Sequence, residues 1–128
     1  MTRAEVEPIT IDTSDRTGIS NIRWIVRNIN QSITLIQDSG DEQVAEILKE
    51  IGKAVINSPR VEKQAGQAVI ESLRTLAWEA SLPSAERRLG IVKASLAYIP
   101  MLLSMDLDTL NYFEVHLGDL RKFFNISS

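Results

Sequence analysis

Acid–base chemistry near neutral pH draws most often on histidine, and this chain has one, His116. On a helix it falls beside an apolar stripe, with Tyr112 four residues before it, Leu120 four after and Phe123 seven after, the setting of a half-buried packing residue. Metal ligation would need companions at helical spacing. Glu114 stands two residues away and points to another side of a helix, and neither HExxH nor ExxH occurs. Asp106-Leu107-Asp108 opens like a calcium loop, but Leu110 occupies the next ligand position and no glycine follows at the sixth, so both aspartates are expected to serve as helix caps. Gly18, Gly40, Gly52, Gly66, Gly90 and Gly118 are scattered singly, which excludes a Walker loop and a dinucleotide fingerprint. No serine sits in GxSxG or SxxK, and one histidine without a supporting motif gives no Ser-His-Asp triad. The expectation is a non-enzyme with no catalytic residue, no cofactor and no metal.

Recognition chemistry is better represented. On the first helix the core stripe centres on Ile22, Ile29 and Ile33, which leaves Trp24, Asn28, Gln31 and Leu35 as a second stripe bordered by Arg27. On the third, Trp78 lies with Gln67, Glu71 and Arg74, away from the small-residue face. Indoles and guanidinium groups are favoured interface anchors, so Trp24, Arg27, Asn28, Gln31, Leu35, Arg74 and Trp78 are the candidate interface. Charge points the same way: residues 20–37 carry only Arg23 and Arg27, net +2, whereas residues 38–50 carry Asp38, Asp41, Glu42, Glu46 and Glu50 against Lys49, net −4. One chain thus offers complementary faces, and the helix-one ridge is expected to meet a second protomer of a homo-oligomer or another protein. Two alternatives stand beside this: a nucleic-acid-associated accessory protein using Arg23, Arg27, Arg87 and Arg88, and a small-molecule-binding bundle with Tyr98, Met101 and Met105 lining a pocket. The net charge of −3 and a pI near 5.2 disfavour nucleic acid, because phosphate contact wants a basic stripe.

The elements that must position these residues are all helical. Residues 1–18 are punctuated by Pro8, Asp12, Ser14, Asp15 and Gly18 and read as a flexible arm; residues 19–128 read as a single helical domain. Ile22, Ile25, Val26, Ile29, Ile33 and Ile36 predict a first helix ended by Gly40. Ser39 or Asp41 is placed to cap a second, with stripe Val44, Ile47, Leu48, Ile51 and Val55, and Ser58-Pro59 to start a third that runs to about Ser81. Ser84 caps a fourth, and Asp106 or Asp108 opens a fifth on Leu110, Phe113, Leu117, Leu120 and Phe124. Residues 89–107 hold only Lys93 and Asp106 as charges and are apolar almost all round, so 89–105 is expected to be the buried central helix of a compact all-α bundle of about five helices. Lys93 and Pro100 argue against a membrane span, and the absence of cysteine removes disulfides and fits a cytoplasmic protein.

From Glu46 to Ile126 the segments EILKEIGKAVINSP, AVIESLRTLAWEA, RRLGIVKASLAYIP and LRKFFNIS resemble the C-terminal helical accessory domains of bacterial signalling and conflict proteins, such as pentapeptide-repeat, TIR and STAND-type chains. The resemblance implies an interaction or oligomerisation module, an accessory or inhibitor protein in a bacterial or phage-borne system. In that family the module follows a larger effector or repeat region, whereas here a short arm precedes it.

Overall fold

A computed structural model describes residues 22–58 and 60–126. The expected arm at 1–18, the arginine at position 3 and the Pro59 start signal lie outside the described residues. The chain forms α1 (Ile22–Asp38), α2 (Glu42–Asn57), α3 (Lys63–Ser81), a 3-10 turn at Ser84–Glu86, α4 (Leu89–Leu102) and α5 (Leu107–Phe124), with no strand among the described residues. The class is all-α, as the apolar periodicity predicts.

Each stripe becomes a buried face. Ile22, Ile25, Val26, Ile29, Ile33 and Ile36 of α1 meet Val44, Ile47, Leu48, Ile51 and Val55 of α2 and Val69, Leu73, Leu76 and Ala77 of α3 in one continuous core that also takes Phe113, Leu120 and Phe124 of α5. Gly40 ends α1 at φ +94°, a conformation that a side chain rarely adopts. It lets Asp41 N–H donate to Ile36 O at 3.2 Å and Gly40 N–H donate to Gln37 O at 3.0 Å, which satisfies two of the carbonyls a helix end leaves open. Asn125 does the same for α5 at φ +58°, with Ile126 N–H donating to Arg121 O at 2.8 Å.

Three start signals act differently from expectation. Ser84 does not cap α4: it opens the 3-10 turn, and α4 starts at Leu89 with Arg88 at its N-cap and no side-chain cap bond. Asp41 stands at the N-cap of α2 without a side-chain cap bond, and Ser39 donates back to Leu35 O at 3.0 Å, so no capping box forms. Ser58 precedes a turn rather than α3, its Oγ accepting from Arg60 N–H at 3.3 Å, and α3 begins only at Lys63.

The larger correction concerns the centre of the bundle. α3 packs on α1, α2 and α4, while α4 packs on α3 and α5 at an edge. Only Val92, Leu96 and Ile99 of α4 are buried, followed by Leu103. Ile91 is 38% exposed, Tyr98 46% and Met101 71%, so 89–105 is not a central rod. Pro100 lies inside the helix and offers no N–H to Leu96 O, and the helix closes two residues later at Leu102, where Leu103 N–H is shared between Ile99 O and Pro100 O. Apolarity all round a helix therefore does not by itself place every face of it in the core.

Candidate interaction surface

Several titratable groups among the described residues make contacts that hold the fold. Asp106 caps α5: its carboxylate accepts from Thr109 N–H at 3.4 Å, from Thr109 Oγ1 at 2.8 Å and, across the fold, from Ser58 Oγ. These donors, Ser58 foremost, hold the Asp106 carboxyl below its ordinary value against the opposing effect of burial. Asp108 contributes its backbone N–H to this network while the residue itself is exposed, and its carboxylate does not join that of Asp106 in a calcium loop. His116 is partly buried, its ring 4.8 Å from that of Tyr112 and its Nδ1 3.9 Å from Asp119 Oδ2, beyond hydrogen-bond reach. Among the described residues no three His, Asp or Glu groups gather to hold a metal.

Beside Tyr112, the α2 seam holds Lys49 buried between Glu46 and Glu50, each 3.2 Å away. Burial works to discharge the ammonium, but the Glu50 and Glu46 carboxylates outweigh it and lift its pKa. Burial, reinforced by the charges of Glu50 and Glu46, likewise lifts the Tyr112 phenol. Neither shift is of the kind that activates a lysine or tyrosine as a base or nucleophile, which needs a pKa lowered toward neutrality.

A second knot fastens the C-terminus of α3. Glu79 is wholly buried, yet its carboxylate accepts from Arg88 N–H at 2.7 Å, Nε at 2.9 Å and Nη2 at 2.5 Å. Burial alone would raise the Glu79 carboxyl; the Arg88 donors overcome it and hold it low. Arg87 caps the same end, donating to Glu79 O, Ala80 O and Leu82 O while its guanidinium lies 4.5 Å over the Phe123 ring. Two of the four arginines considered for nucleic acid are therefore engaged within the chain, Arg87 by backbone carbonyls and Arg88 by a carboxylate nine residues upstream, a spacing that helical periodicity does not reveal.

The candidate interface residues fall on the open side of α1 and α3. Trp24 is 54% exposed, Trp78 49% and Leu35 49%; Arg27 and Gln31 are exposed and Asn28 is half-buried, its Nδ2 donating to Trp24 O at 2.8 Å. The α1–α3 packing brings Trp24 and Arg74 together, the guanidinium 5.3 Å from the indole centroid, and Trp78 stands one turn further along α3. Arg74 Nε is buried without a hydrogen-bond partner. Leu35 lies eleven residues from Trp24, about 16 Å along the helix, and belongs to the far end of the ridge.

The surface missed in the sequence is the outer side of α4. Gly90, Ile91, Ala94, Ala97, Tyr98 and Met101 are all exposed there, with Met105 just past its end. Their apolarity was legible; their exposure was not. Tyr98, Met101 and Met105 accordingly do not enclose a pocket. A cleft of about 350 Å³ lies elsewhere, between the start of α2 and the end of α5, lined by Asp41, Val44, Ile47, Asp119, Lys122 and Phe123 among others. No described helix is long and apolar enough to cross a membrane. The described residues thus form an all-α bundle with two exposed faces that carry large apolar side chains, and comparison with protein-family models, curated proteins and solved structures finds no match for the chain.

Proposed function

We propose that the protein is a non-enzymatic helical interaction module that works by docking on another protein, as an accessory or inhibitor of a bacterial or phage signalling or conflict system. The observation that carries this reading is the cluster of Trp24, Arg74 and Trp78: two half-exposed indoles around a guanidinium, on a face whose α1 portion adds Arg23 and Arg27 and no acid before Asp38. Tryptophan and arginine dominate interface energetics because they combine large apolar area with directed polar contact. The complementary partner presents apolar side chains among carboxylates. The raised Lys49 and Tyr112 pKa values support a non-catalytic role. The system and a cytoplasmic location rest on the sequence resemblance and the lack of cysteine.

Affinity capture with wild-type protein and with a Trp24→Ala/Trp78→Ala variant tests the reading. A partner retained by wild type and lost from a variant with unchanged helicity and melting supports it; equal retention by both removes this surface from the function. Retention on heparin at physiological salt that depends on Arg23 and Arg27 would instead favour the nucleic-acid reading.

A further inference from the structure

The outer face of α4 presents Gly90, Ala94, Ala97 and Met101 down its middle, with Ile91, Tyr98 and Met105 along one flank, and its single charge is Lys93. A helix in water normally turns polar residues outward. This one does not, although Val92, Leu96 and Ile99 already satisfy its packing on the bundle. We infer that a second copy of the chain covers this face, through antiparallel α4–α4 pairing about a twofold axis near Ala97.

Area and charge select that occupant. With Ile91 38%, Tyr98 46%, Met101 71% and Met105 45% exposed, and Leu89 and Leu107 at the rim, each copy offers a mainly apolar patch, and burying it on both copies approaches the lower end of specific interfaces, about 1,000 Å² in total. The face has one cation, Lys93, and no anion, so whatever covers it must either supply negative charge to Lys93 or leave that ammonium unpaired. A second antiparallel copy resolves this by itself. Each Lys93 then lies over the C-terminal end of the other α4, where the helix dipole favours a cation. The two Lys93 positions are about 12 Å apart along the axis, beyond the screening length at physiological salt. Parallel pairing would instead set the two ammonium groups side by side. At the crossing, Ala94 and Ala97 let the backbones approach, and a Cβ built on Gly90 meets nothing within 4 Å, which leaves room for a neighbour.

This surface differs from the Trp24–Trp78 face, so either assignment can fail alone. Sedimentation velocity up to about 100 μM should show a dimer for wild type, since small interfaces commonly give micromolar affinity. Tyr98→Glu/Met101→Glu should be monomeric with wild-type helicity, while Trp24→Ala/Trp78→Ala should remain dimeric. Because the chain contains no cysteine, a second measurement is clean: Ala97→Cys should form an intermolecular disulfide on mild oxidation far faster than Gln31→Cys on α1. A wild-type monomer at the highest concentration, or faster crosslinking through position 31, overturns the pairing; if the glutamate variant misfolds, the crosslinking comparison still decides.

Discussion

Arg88 joins a mostly exposed guanidinium to a carboxylate that has no access to water, and the asymmetry sets its importance. The Arg88 side chain is 60% exposed and that of Glu79 is 0%. An exposed ion pair is worth little, but removing the exposed member of this one strands a charge in the core. Arg88→Ala is expected to cost about 3 kcal/mol, lowering the thermal midpoint markedly, because Glu79 keeps only the Arg88 backbone N–H. Glu79→Gln with Arg88 intact should cost less, since the neutral amide needs less solvation. A differential scanning comparison separates the two; equal, small losses would show that the knot contributes nothing. The helical pattern of α3 placed Glu79 among Trp78 and Ala80 without distinguishing it from a surface glutamate, because a hydropathy reading sees the charge and not the arginine nine residues later.

At the scale of elements, legibility depended on amphipathicity. α1 and α2 bury the stripes that their sequences predict, since each has one unbroken aliphatic face, whereas the second stripe of α1 is interrupted by Asn28 and Gln31. α4 has no polar side, and its orientation is set by what α3 offers: Val69, Leu73 and Leu76 complete a core already shared with α1 and α2, and α4 is left to cover the remaining edge with Val92, Leu96 and Ile99. The exposed indoles on α1 and α3 were legible because an indole opposite a core stripe has nowhere inside to go, whereas the exposed apolar residues on α4 were hidden in a run that looked like core. The two faces of α4 should therefore respond oppositely to charge. Leu96→Asp buries an unpaired carboxylate at a cost of several kcal/mol against a total stability of roughly 5–15 kcal/mol, and is expected to unfold or aggregate the protein. Circular dichroism melts check it; a soluble Leu96→Asp variant melting with wild type would mean that α4 is not part of the cooperative core.

For the molecule as a whole, the shifted groups define a pH window. Glu79, Asp106 and Glu50 have folded pKa values below their unfolded ones, so they bind fewer protons when folded; their contribution is complete above the unfolded carboxylate values, near 4, and is lost as pH falls through the folded values. Lys49 and Tyr112 are raised, so their contribution is complete below their unfolded values, near 10, and is lost as pH rises through the folded ones. Stability should therefore hold a plateau from roughly pH 5 to pH 10 and fall on both sides. Urea unfolding across pH measures this, and Arg88→Ala sharpens the test. Without the side-chain donors, burial governs Glu79 and its folded pKa moves above the unfolded value, so protonation there stabilises the folded chain. The variant should be weaker than wild type at neutral pH yet lose less stability between about pH 6 and pH 3. Parallel acid limbs for the two proteins would place the acid sensitivity at Asp106 and its Ser58 and Thr109 donors rather than at the α3 knot.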